Sequence, residues 1–134
     1  MGSAMNVMEV RAAGETPVTL GEEVTSVNQL ITMKSDAEAY VATDAAGQVV
    51  VGINADVGAE GDVIVVKKGE WILENDTVAP VTAAYIGKKC YFKDSRTVTI
   101  STGSHSLIAG TVVGLYTYGV KVDVGVDTSA TPSS

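Results

Sequence analysis

The sequence predicts an all-β protein, mainly antiparallel, folded as a compact barrel or sandwich with at most one short helix. Three observations predict this. β-prone runs recur at intervals of about ten residues from Leu30 onward, the spacing of short strands in sandwiches and barrels. Two runs, Thr97-Val98-Thr99-Ile100-Ser101 and Val120-Lys121-Val122-Asp123-Val124, alternate apolar and polar residues, as a strand half-buried on a sheet requires. Turn-forming clusters rich in Gly, Asp, Asn and Ser separate the runs, among them Asp44-Ala45-Ala46-Gly47, Gly58-Ala59-Glu60-Gly61-Asp62 and Lys68-Gly69.

Residues Val7–Val27 form an irregular opening, in which Gly14, Pro17 and Gly21 interrupt short β-prone pieces such as Asn6-Val7-Met8-Glu9-Val10. This segment is expected to be an extended arm, so residues 1–20 are set apart from a single β domain over 21–126. The expected strands are Leu30–Met33, Ala39–Thr43, Val49–Ala55, Asp62–Lys67, Glu70–Glu74, Lys89–Lys93, Thr97–Ser101, Thr111–Tyr118 and Val120–Val126. Pro80–Ile86, with Ala83 and Ala84 in a non-alternating stretch, is the one helix candidate, limited to a turn or two. The tail 127–134 has nothing to bury and is expected to be disordered. A short internal echo is visible. Val50-Val51-Gly52-Ile53 precedes Asp62–Lys67 much as Val112-Val113-Gly114-Leu115 precedes Val120–Val124, by duplication or by coincidence among short β runs.

Composition narrows the function. A chain of 134 residues suits one domain with one core. Apolar residues make up 46% but Phe and Trp occur once each, so Val, Ile, Leu, Ala and Tyr must build that core, a β-rich palette. The formal charge is −7, and no basic cluster exceeds Lys67-Lys68 and Lys88-Lys89, which argues against nucleic acid and anionic membrane as partners. Cys90 is the only cysteine, so an intrachain disulfide cannot form. The single cysteine points to synthesis in a reducing cytoplasm, and the start, Met1-Gly2-Ser3-Ala4-Met5, lacks the basic and apolar regions of a signal peptide and reads as an expression scar before a native Met. No run approaches a membrane span.

Catalytic constellations are not apparent, and no enzyme activity or cofactor is expected. His105, the only histidine, sits in Gly103-Ser104-His105-Ser106 without a Gly-x-Ser-x-Gly elbow, and reads as an exposed loop residue. Asp36, Glu38 and Asp44, or Glu60 and Asp62, do not follow the calcium-loop pattern and read as solvated turn carboxylates. Glu70 and Glu74 flank Trp71, but on a strand residues four apart lie some ~13 Å apart, beyond the usual separation of a glycosidase pair. Cys90 reads as a packed strand residue, and Trp71 as core or an intersubunit contact.

A series of segments carries a resemblance. Glu38-Ala39-Tyr40-Val41-Ala42-Thr43-Asp44 is followed by Gly47, Val51-Gly52-Ile53, an acidic glycine turn, Val63–Val66 and Lys68-Gly69 leading into Glu70–Leu73. Then come Gly87-Lys88-Lys89-Cys90-Tyr91-Phe92-Lys93-Asp94, Thr97–Ile100, Ile108-Ala109-Gly110-Thr111-Val112-Val113-Gly114 and Val120–Val124. This order, over roughly residues 30–126, resembles the bacteriophage capsid decoration (cement) proteins, including those of lambdoid phages. The resemblance implies a non-enzymatic virion protein on the capsid exterior, a homotrimer that binds the major capsid protein of the expanded head. It further implies an N-terminal arm that adds to a sheet of the shell. The arm residues so implied are Val7, Met8, Glu9, Val10, Val18 and Leu20, with Trp71, Tyr116 and Tyr118 as interface aromatics. The chain departs from the lambdoid pattern in its longer second half and in lacking a Pro-rich N-terminus.

Two other readings have their own residues. Met33-Lys34 with Ala42, Gly47, Val49 and Gly58 resembles biotinyl and lipoyl carrier domains, which would make Lys34 the attachment site, although Thr32 and Ser35 replace the expected flanking residues. Trp71, Tyr85, Tyr91, Tyr116 and Tyr118 supply the ring faces a carbohydrate-binding or fibre-type β module requires.

Overall fold

In the computed structural model the described residues are 8–103 and 106–124, with side chains from Gly14 onward. The strands are β1 (Met8–Thr19), β2 (Leu30–Lys34), β3 (Ala39–Val41), β4 (Gln48–Asn54), β5 (Val63–Asn75), β6 (Lys89–Asp94), β7 (Thr97–Thr99), β8 (Ile108–Tyr116) and β9 (Gly119–Val124). The protein is all-β, and its helix candidate reduces to a single 3-10 turn at Ala83–Tyr85.

The strands close into two small barrels that share β5. In one, pairing runs from β5 to β7, β6, β8 and β9 and back to β5. In the other it runs from β1 to β5, β4, β2 and β3, and the isolated parallel bridge Leu20↔Ala39 returns β3 to the end of β1. The two rings have the same strand order and directions. β5 is the last strand of the N-terminal ring (β1–β5), the first barrel, and the first strand of the C-terminal ring (β5–β9), the second.

The correspondence extends to single residues. Gly21 N donates to Ala39 O at 2.9 Å, and Asp76 N donates to Val98 O at 2.9 Å. Asn28 N donates to Asn54 O at 3.0 Å, and Gly87 N donates to Val112 O at 2.8 Å. β4 carries an extra residue beside Gly52, which lies opposite Ile31; β8 carries one beside Gly110, opposite Cys90. Gly52 therefore corresponds to Gly110, not to Gly114 as the echo suggests. Both glycines are needed for the same reason. A Cβ on Gly52 would lie 2.8 Å from the Lys67 carbonyl oxygen, and one on Gly110 would overlap the Asp123 carbonyl oxygen.

Each barrel has its own core. Val18, Leu20, Val24, Ile31, Ala39, Ile64 and Val66 fill the first, and a larger cluster around Leu73, Cys90, Val98, Val112, Val120 and Val122 fills the second and takes in Leu30, Ala42, Val50 and Ile53 from the β2–β4 segment of the first. Successive residues of one strand serve opposite cores: Leu30 joins the larger cluster and Ile31 the smaller. That is the period of two, with one face of β2 turned into its own barrel and the other toward the larger cluster.

Three expectations change. Asp62–Lys67 and Glu70–Glu74 are one strand, because Lys68-Gly69 bends without turning and Gly69 stays paired with both Ala12 and Val124. The alternation of Thr97–Ser101 does not bring half-burial, since Thr97, Val98 and Thr99 are all buried, whereas in β9 Val120, Val122 and Val124 are buried and Lys121 and Asp123 are not. The expected arm at residues 1–20 is, from Met8, a strand paired along β5. The tail 127–134 lies outside the described residues.

Candidate functional site

The arm residues divide. Val7 lies outside the described residues, and Met8, Glu9 and Val10 sit on β1. Met8 lies opposite Ile72 and Glu9 opposite Trp71, while Val10 falls at a bulge. Val18 is buried and Leu20 has no exposed surface, both packed with Ile64 and Val66. As shell contacts these two are corrected: an apolar side chain in a closed core cannot also reach a partner. What β1 offers is its backbone. Among the described residues its only strand partner is β5, so its opposite edge is unpaired up to the bridge at Leu20. Gly14, Glu15 and Pro17 on it are exposed, and the Glu15 carboxylate lies 3.9 Å from Lys67 Nζ. Proline lacks a backbone donor and is tolerated in sheets mainly at edges, in keeping with Pro17 here.

The interface aromatics also divide. Trp71 is buried in the larger core, and its indole N–H finds no acceptor among the described residues. It contributes apolar packing, not a docking face. Tyr116 and Tyr118 bracket the β8–β9 hairpin tip, stacked with ring centroids 5.2 Å apart and planes 9° from parallel. Tyr118 is 59% exposed. Lys121 Nζ sits 5.8 Å from the Tyr116 ring and 4.0 Å from a Glu70 carboxylate oxygen, so the tip rises from a charged base. Tyr85 and Tyr91 are each half-buried or less than fully exposed.

Lys34 ends β2, and its ammonium lies 4.1 Å above the Tyr40 ring. Tyr40 Oη donates to Asp36 Oδ2 at 2.6 Å, which pushes the phenol up to about 12 and draws the Asp36 carboxyl below its ordinary value. The Tyr40 ring packs where a Cβ on Gly21 would sit. Gly21 and Tyr40 correspond to Asp76 and Thr99 of the second barrel, where Thr99 Oγ1 donates to Asp76 Oδ2 at 2.9 Å. Asp76 also accepts from the backbone N–H groups of Val78 and Ala79, and these donors, Val78 first, hold its carboxyl below the ordinary value against the opposing effect of burial. One pair of positions thus fastens both parallel seams, by ring packing in one barrel and by a carboxylate in the other.

Burial pushes the Cys90 thiol up to about 12, so it is a packing group and not a nucleophile at neutral pH. Among the described residues no three His, Cys, Asp or Glu side chains are placed to hold a metal ion, and no helix is long and apolar enough to cross a membrane. His105 and Ser104 lie outside the described residues. Sequence reasoning missed the Asp76–Thr99 fastening and the open edge of β1. No local signal marks the first, since Asp76 and Thr99 lie 23 residues apart in sequence; for the second the signal was Pro17 within a β-prone segment. Comparison with family models, with curated proteins and with solved structures gave no match.

Proposed function

We propose that this protein is a capsid decoration protein that binds the outside of an expanded phage head and clamps neighbouring copies of the major capsid protein. The observation that carries the reading is the edge of β1 that no strand among the described residues pairs. An exposed row of backbone N–H and C=O groups accepts an added strand, in which main-chain bonds supply affinity and side chains supply selectivity. A ligand that engages only the expanded lattice stabilises it in proportion to RT ln(1 + [L]/Kd), and repetition on a symmetric lattice adds avidity. The net charge of −7 suits a protein surface better than nucleic acid. The test is co-sedimentation with empty shells before and after expansion. Saturable binding to expanded shells alone is expected, and failure of the folded protein to bind either form would overturn the reading.

The stacked, exposed Tyr116–Tyr118 pair favours one second reading, a carbohydrate-binding module, since a free ring face can stack on a pyranose. Binding to a glycan array that disappears in Tyr118→Ala, with the fold retained, would establish it.

A further inference from the structure

We infer that the open edge of β1 pairs with the same edge of a second copy, joining two molecules antiparallel about a two-fold axis near Ala13. The inference does not rest on the capsid reading, and the two compete for one edge: paired copies must separate before that edge can take a strand of the shell.

Its basis is the equivalence of β1 and β5. Each carries a glycine with positive φ midway along, Gly14 at 148° and Gly69 at 125°. Each glycine precedes a glutamate near a lysine of the adjacent strand: Glu15 is 3.9 Å from Lys67, and Glu70 is 4.0 Å from Lys121. Each strand then runs into a buried aliphatic residue, Val18 or Leu73. Residues 66–67 and 69–72 of β5 have partners on both sides: β1 on one edge, and β4 then β9 on the other. The edge of β5 that receives β1 corresponds to the open edge of β1. The strand already seen to fit such an edge, antiparallel and along both halves, is β1 itself.

The register transfers directly. With Glu70 corresponding to Glu15 and Gly69 to Gly14, the observed pairs Arg11↔Glu70 and Ala12↔Gly69 become Arg11 opposite Glu15 of the second copy and Ala12 opposite Gly14 of the second copy. The pairs Gly14↔Lys68 and Glu15↔Lys67 transfer to Gly14 with Ala13 and Glu15 with Ala12. They agree with the two-fold arrangement to within one residue, the step that the β1 bulges absorb. A two-fold interface requires a self-complementary patch, and this one places opposite charges across the seam twice. It departs from the three-fold association implied by the resemblance.

The test is the mass of the full chain in solution, without shells, by sedimentation velocity and equilibrium. A species of twice 13.8 kDa is expected at high protein concentration. Ala13→Cys should then link two chains completely on mild oxidation, because residues opposite one another at the axis lie within disulfide reach. Ser35→Cys, at an exposed hairpin away from the edge, should not, and Cys90 is buried and does not compete. A monomer at every concentration, a trimer, or a dimer in which Ala13→Cys links no faster than Ser35→Cys would overturn the inference. Shell binding or its failure bears on none of these outcomes.

Discussion

At Gly52 and Gly110 the chain passes so close to the next strand that a methyl group meets a carbonyl oxygen of the backbone, which cannot swing aside as a side chain does. Gly52→Ala and Gly110→Ala should each destabilise by about 1–3 kcal/mol, the range of overpacking in a filled interior, as urea unfolding would measure. Thr99 and Asp76 give a prediction in pH. The Asp76 carboxyl is drawn down in the folded protein by the Val78 N–H, the Thr99 hydroxyl and the Ala79 N–H. Its contribution is therefore present above the unfolded value of about 4 and is lost as pH falls through the lower, folded one. Asp76→Asn should lower the melting temperature at pH 7, and its gap from the parent protein should close on acidification below that value. A gap that stays constant with pH would show that the carboxylate charge is not what fastens the seam.

At the scale of elements, some of the fold is legible in sequence and the reasons are physical. β9 is readable because one face is buried and the other is not, so burial copies the alternation of Val120, Val122 and Val124 with Lys121 and Asp123. β7 misleads, since Thr99 is buried through its bond to Asp76 and polarity no longer reports exposure. β5 is legible in both halves but not as one strand, because Lys68-Gly69 has the composition of a turn and only its pairing on both edges keeps it extended. The closure of the first barrel cannot be read at all. It rests on the bridge between Leu20 and Ala39, the bond from Gly21 N to Ala39 O and the Tyr40 ring packed against Gly21, contacts that no local pattern encodes. Of the candidate site, the exposed tyrosines at Tyr116 and Tyr118 were legible, while Trp71, Val18 and Leu20 were apolar residues whose burial depends on which side of a closed ring they face. Leu73, fully buried near the end of β5, tests the shared strand directly. Leu73→Ala should cost about 2–5 kcal/mol, as cavity-forming substitutions do.

Across the whole molecule, a strand common to two cores couples them. Loss of either core frees β5 and removes a wall of the other, so the barrels should unfold together. Trp71 is the only tryptophan and reports the second barrel, whereas far-UV circular dichroism reports both. The two signals should give one coincident transition in urea, and the same midpoint shift in Ile64→Ala, which opens a cavity in the first core. Separate midpoints would mean that β5 does not bind the barrels into one unit. In the decoration role it is the β1 edge of this paired-barrel unit that meets the shell. The most direct test of that role is amide hydrogen exchange over Met8–Thr19 with and without expanded shells, at a protein concentration low enough to keep copies apart. The amides of the outer edge of β1 should gain protection on the shell. Saturable shell binding that protects other surfaces and leaves β1 unchanged would contradict it.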